Sequence, residues 1–159
     1  MSIENYQALI NDLCELTVIP NPETLYEMAS LRIRGIDFSL LYKDGPSAGE
    51  VLIYCGFGPL PQQQRETIMQ RLLETNLYLF NGQNSPSLSY NPETGQVVLV
   101  SVLLLDALTA RRLLDMLGYL AAMAQKWQET YFLDEEKKPT QRSAEKTHRS
   151  ASFSRTTIR

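Results

Sequence analysis

The chain predicts an α+β protein: a mostly antiparallel, twisted sheet of about five strands with three helices, in the order α-β-β-β-α-β-β-α. Apolar residues recur at spacings of three and four in three separated stretches, the mark of helices with one greasy face. Between those stretches lie short runs rich in β-branched and aromatic residues, several of them alternating in polarity, as strands do. Glycine, asparagine and proline sit in the short links between runs, and strands joined by short links pair antiparallel.

The first stretch carries Ile3, Tyr6, Leu9, Ile10, Leu13 and Leu16, with Ser2 placed to cap a helix and Glu4 in its first turn. Ile19-Pro20-Asn21-Pro22 stops it, since proline lacks the amide and disfavours helix in its predecessor. Three strands follow between Leu25 and Phe57. Leu31 and Ile33 alternate with Arg32 and Arg34, Gly35-Ile36-Asp37 marks a turn or bulge, and Phe38 to Tyr42 continues the hairpin. In the third strand Val51, Ile53, Cys55 and Phe57 alternate with Leu52 and Tyr54, so it is apolar on both faces. Such a strand needs two covering layers. The protein's own helices supply one; a partner subunit or a bound polypeptide is expected to supply the other, the alternative being a two-sided core within one subunit, for which only three helices are available.

Pro61 is expected as the first residue of the second helix, where its missing amide costs nothing. Ile68, Met69, Leu72 and Leu73 give that helix a single apolar side, and Asn81-Gly82 ends the segment. Ser87 to Tyr90 then reads as a short strand, Asn91 to Gly95 as a hairpin loop and Gln96 to Leu105 as a long apolar strand. The last helix starts near Asp106 or Thr109, either of which can cap it, and runs to about Phe132. Leu113, Leu117, Leu120, Ala124, Trp127 and Tyr131 form its stripe, a pattern short enough to pack on the protein's own sheet rather than in a coiled coil.

Charge divides the chain in two. Residues 1–133 hold 8 Lys+Arg against 14 Asp+Glu, a balance of −6, whereas residues 134–159 hold 7 against 4, a balance of +3. An acidic body repels phosphates, which argues against nucleic acid as a partner. The last 26 residues are polar and poor in apolar side chains, so a disordered tail is expected after one domain spanning 1–133. No run approaches the roughly 20 apolar residues of a membrane span, and the N-terminus lacks the look of a signal peptide, so stable membrane insertion is not expected and a cytoplasmic location is. Cys14 and Cys55 lie among apolar residues without metal or redox spacing and are read as buried free thiols.

Sequence offers no catalytic set. Gly56-Phe57-Gly58-Pro59 lacks the Gly-Lys-Ser/Thr ending of a phosphate loop, the one histidine, His148, lies in the tail, and no metal-ligand cluster or nucleophile-base arrangement is present. Neither enzymatic activity nor a cofactor is expected.

The run LLETNLYLFNGQNSPSLSYNPETGQVVLVSVLLLDALTARRLLDMLGYLAAMAQKW resembles the corresponding part of the Tir chaperone (CesT) family, the class I chaperones of bacterial type III secretion. The matching features are an Asn-Leu-aromatic segment closing the second helix, a short strand, a turn with glycine, an apolar strand ending near Asp106 and a final amphipathic helix. The resemblance implies a homodimer that holds the N-terminal chaperone-binding region of one or more effectors extended and soluble, with the secretion ATPase as a further partner. It also implies a dimer contact through the second helix, at Ile68, Met69, Leu72, Leu73 and Leu77. Effector capture is expected at exposed positions of the first helix and first strands: Leu9, Leu13, Leu31, Ile33, Phe38, Leu52 and Tyr54. The alternative is a dimeric adaptor that binds one folded protein and has no role in secretion.

Overall fold

Helix α1 (Ser2–Thr17) opens the computed structural model, which describes residues 2–45 and 48–133. Tyr6, Leu9, Ile10, Leu13 and Cys14 are buried, so the three-four spacing of the sequence is the face that packs. At the end of α1 the Ile19 N–H donates to the Cys14 carbonyl at 2.9 Å while Val18 sits at φ +58°, the geometry of a Schellman stop. A short 3₁₀ turn, Pro22–Leu25, leads into the strands.

β1 (Ala29–Ile33), β2 (Ile36–Lys43) and β3 (Glu50–Pro59) form a meander. Arg34 and Gly35, at φ +52° and +79°, make the tight two-residue turn that closes the Ile33–Ile36 pair. Helix α2 (Arg65–Leu79) follows, then β4 (Ser87–Asn91), β5 (Gln96–Leu104) and helix α3 (Ala110–Thr130). The strands lie in the order β1-β2-β3-β5-β4, every neighbouring pair antiparallel. The expected α+β architecture is therefore the observed one.

Two helix starts refine the reading of the sequence. Gln64 stands at φ +56°, which keeps the preceding turn out of the helix, so α2 begins at Arg65 and Pro61 lies before it. Thr109 rather than Asp106 caps α3, its hydroxyl accepting the Arg112 N–H at 3.3 Å, while Asp106 falls in a separate 3₁₀ turn. Residues 134–159, expected as a disordered tail, lie outside the described residues.

One face of the sheet is covered and makes the core. Ala29, Leu31, Phe38, Leu40, Val51, Ile53, Cys55, Phe57, Leu88, Val97 and Leu99 all point into it and are buried. α1 and α3 lie over them. The stripe Leu113, Leu117, Leu120, Ala124 and Trp127 is fully enclosed, so α3 packs on its own sheet. A β-bulge between Gly56 and Gly58 shifts the β3–β5 register, and a Cβ added to Gly58, at φ +119°, would stand 3.9 Å from the Trp127 ring. The Trp127 indole then stacks at a tilt on Phe57 with centroids 5.9 Å apart, and the Gln128 side chain donates to the Phe57 carbonyl at 2.8 Å.

Candidate functional site

The second face of the sheet has no helix over it among the described residues. Strand alternation fixes which side chains stand there, because residues opposite one another in register share a face. Leu41 pairs with Leu52 and Leu52 with Val102; Ser39 pairs with Tyr54 and Tyr54 with Val100; Gly56 pairs with Val98. Leu104 lies opposite Glu50 at the end of the same face, and Tyr54 and Leu104 are plainly exposed. An apolar band thus crosses β2, β3 and β5, flanked by Ser30 and Arg32 on β1 and by Ser87 and Ser89 on β4. The reading of β3 as apolar on both faces anticipated this band; Val98, Val100 and Val102 extend it along β5, where the same alternation in sequence carries the signal.

Helix α2 contributes a second apolar surface. Ile68 and Leu72 point toward β4 and are buried, Arg65 sits over the Tyr90 ring at 4.9 Å, and the Asn76 side chain reaches Leu88. Leu73 and Leu77 lie about 100° to 180° round the helix from Ile68 and Leu72 and are 71% and 73% exposed, with the half-buried Met69 one turn before Leu73. Thr75 lines a groove with Tyr119, Met123 and Phe132, so α3 lies to one side of the buried face of α2 and the Leu73–Leu77 stripe to the other.

These placements correct part of the expectation from sequence. Ile68 and Leu72, expected at a dimer contact, belong to the protomer's own core; Leu73 and Leu77 stand on the surface and Met69 between the two. Among the residues expected to be exposed for effector capture, Leu9 and Leu13 are buried on the inner side of α1 and Leu31 and Phe38 on the covered face of the sheet, where Ile33 is half-buried; on the other face Leu52 is half-buried and Tyr54 is exposed. The reason is common to both sets. Apolar periodicity identifies the face that packs, and a protomer fills its own core first.

The two outer strands differ. In β1 the Ile33–Ile36 pair is closed by the tight turn and so exchanges both backbone hydrogen bonds; alternation then aims the N–H and C=O of Arg32 and Ser30 outward. No strand pairs with that edge among the described residues. Beside it Arg32 makes a two-pronged contact with Asp37, at 2.7 and 3.0 Å, and this hydrogen bonding holds the Asp37 carboxyl below its usual range. On β4 the outward groups of Leu88 are engaged by Asn76, whose amide nitrogen donates to the Leu88 carbonyl at 3.0 Å and whose oxygen accepts the Leu88 N–H at 2.7 Å.

Reactive chemistry is not assembled at these surfaces. No group of three or more His, Cys, Asp or Glu is placed to hold a metal ion among the described residues. Cys55 is buried and its thiol is pushed up to about 12, and burial, with a smaller contribution from Glu23, raises Cys14, so both stay protonated. No helix among the described residues is long and apolar enough to cross a membrane.

A sheet with helices on one face, apolar side chains on the other and an unpaired edge defines a protein that works by binding other polypeptides. The sequence profile of the Tir chaperone protein (CesT) family matches residues 9–128, and the chain belongs to that family. No curated protein matches in sequence. Among solved structures the fold is similar to chains in the ExsC–ExsE complex (19% identity, 80% of this chain and 93% of that one, TM-score 0.64) and the HopA1–SchA chaperone–effector complex (15%, 81% and 97%, 0.59). It is likewise similar to a chain of the ExoT–SpcS complex from Pseudomonas aeruginosa (19%, 77% and 96%, 0.54).

Proposed function

We propose that the protein is a type III secretion chaperone that binds the N-terminal chaperone-binding region of one or more effectors and keeps it extended, soluble and competent for export. Membership of the chaperone family supports the class. The uncovered apolar band on the sheet is the observation that carries the mechanism. An extended segment pairs its backbone with a sheet edge and sets alternate side chains into the neighbouring apolar surface, so affinity depends little on sequence. Ordering such a segment costs several kcal/mol, which requires an extensive contact, on the order of 1,000 to 3,000 Å².

A homodimer meets that demand by doubling the surface. The stripe of Leu73 and Leu77 with Met69 is the surface proposed for the second copy; a two-fold axis lets one patch meet itself. The segment proposed as cargo uses the β1 edge with Leu52 and Tyr54 of the outer face; Ile33, on the covered face, belongs to the core side of that edge. The protein acts by binding rather than catalysis, in the bacterial cytoplasm, with the secretion ATPase as the acceptor of the complex.

The test is co-expression with the product of the neighbouring reading frame, followed by limited proteolysis. Protection of an N-terminal segment of that product, with its amides otherwise exchanging as in an unfolded chain, is the expected result. Binding only to a folded partner would instead make the protein an adaptor.

A further inference from the structure

We infer that Asn76 closes one edge of the sheet, so that a captured strand adds only at β1; this rests on the strand-capture reading above. An antiparallel sheet has two outer edges, and each offers backbone N–H and C=O groups to any extended chain. In this protein the two are not equivalent. On β4 the backbone groups of Leu88 face outward, since the Asn76 side chain engages both of them, and alternation turns those of Tyr90 the same way and those of Ser87, Ser89 and Asn91 toward β5. Asn76 satisfies both outward groups of Leu88 with one side-chain amide, at 3.0 and 2.7 Å, acting as a one-residue substitute for a neighbouring strand. The residue before the strand is Pro86, which has no N–H to offer.

Helix α2 is fastened over that edge along its length. Arg65, Ile68, Leu72 and Asn76 fall at spacings of three and four, on one side of the helix, and they meet Tyr90, the core and Leu88 in turn. At β1, in contrast, the outward groups of Ser30 and Arg32 face a side with no strand among the described residues. The occupant of β1 is therefore an extended polypeptide segment, and Asn76 is a positioning residue that fixes which edge it joins.

The experiment compares the full chain with Asn76→Ala, using an alternating Thr-Val peptide of about ten residues, spin-labelled at one end, as the added strand. Paramagnetic broadening of backbone amides reports where the peptide lies. In the unmodified protein broadening is expected at residues 28–33 only. In Asn76→Ala it should appear at 87–91 as well, with the Leu88 amide exchanging at least tenfold faster. If the alanine variant does not fold, Asn76→Asp serves: it keeps an acceptor for the Leu88 N–H, loses the donor to the Leu88 carbonyl, and should show weaker broadening at 87–91. Broadening at 87–91 in the unmodified protein overturns the inference. So does broadening confined to 28–33 in both proteins, an outcome that leaves strand capture standing. Broadening at neither edge in either protein overturns strand capture and the inference together.

Discussion

Val18 shows how a single residue records a compromise. It occupies the left-handed position just past α1, at φ +58°, and is 88% exposed, so a β-branched side chain sits where glycine is the unstrained choice and nothing packs on it in return. Val18→Gly is expected to raise stability by about 1 kcal/mol in chemical denaturation, since relief of the left-handed strain outweighs the extra chain entropy of glycine. Buried hydroxyl and thiol groups set a second residue-scale behaviour. Tyr6 lies under the sheet, donates to the Leu40 carbonyl at 3.3 Å, and burial pushes it from 10.0 up to about 12; Cys55 moves from 9.0 to about 12 for the same reason. Both are neutral when protonated, so the folded state holds these protons more tightly than the unfolded chain. Their contribution is complete below pH 9 and is lost as pH rises from about 9 toward 12. Melting temperature should therefore fall across that alkaline window, and Cys55→Val should flatten its lower part, where the thiol of the unfolded chain begins to ionise. An unchanged slope in that variant would assign the alkaline loss elsewhere.

Helix α2 is the element where sequence and structure part most instructively. Its apolar positions Ile68, Met69, Leu72, Leu73 and Leu77 are equivalent as letters, yet packing divides them into core and surface. The prediction that follows is a contrast. Leu72→Asp puts a carboxylate into the protomer's core and is expected to cost on the order of 4 kcal/mol, seen as a lowered melting temperature. Leu77→Asp leaves the melting of the protomer nearly unchanged and instead weakens self-association roughly a hundredfold, because symmetry removes the leucine twice, at about 1.5 kcal/mol each. Sedimentation across a concentration series separates the two. The periodicity of α1 and α3 and the alternation of β3 were legible in the sequence because each depends on local chemistry; the turn near Gly35 was legible only in part, since it was expected at Gly35-Ile36-Asp37, whereas Arg34 and Gly35 make it and Ile36 and Asp37 already belong to β2. What was not legible was depth: Leu9 and Leu13 lie on the same helix face as expected, but only the tertiary fold says that α1 turns that face inward. The pairing of Asn76 with Leu88 was hidden for the same reason, as it joins residues brought together by the return of the chain through the 81–86 turn.

At the scale of the whole molecule, two apolar surfaces remain after the core is filled, and assigning them to different partners is a claim about independence. Leu77 lies on the α2 stripe beyond the β4 edge, whereas Tyr54 lies in the middle of the outer sheet face, with Ser87 and Ser89 of β4 between the two. If the second copy uses the stripe and the extended segment uses the sheet, substitutions should sort cleanly. Tyr54→Glu is expected to keep the dimer, sedimenting at twice 18.1 kDa, while abolishing protection of the bound segment from protease. Leu77→Asp is expected to give a monomer that still binds, but more weakly by a factor on the order of 10² or more, because a segment that spans both protomers loses the second contact and with it the effective concentration that joined them. The measurement is one titration of a labelled effector segment against each variant, with sedimentation run on the same samples. A Tyr54→Glu protein that is monomeric would show that the outer face of the sheet lies in the dimer contact. The segment would then have to be held elsewhere, and the β1 edge alone, five residues long, is too short to supply the contact area that ordering an extended chain demands.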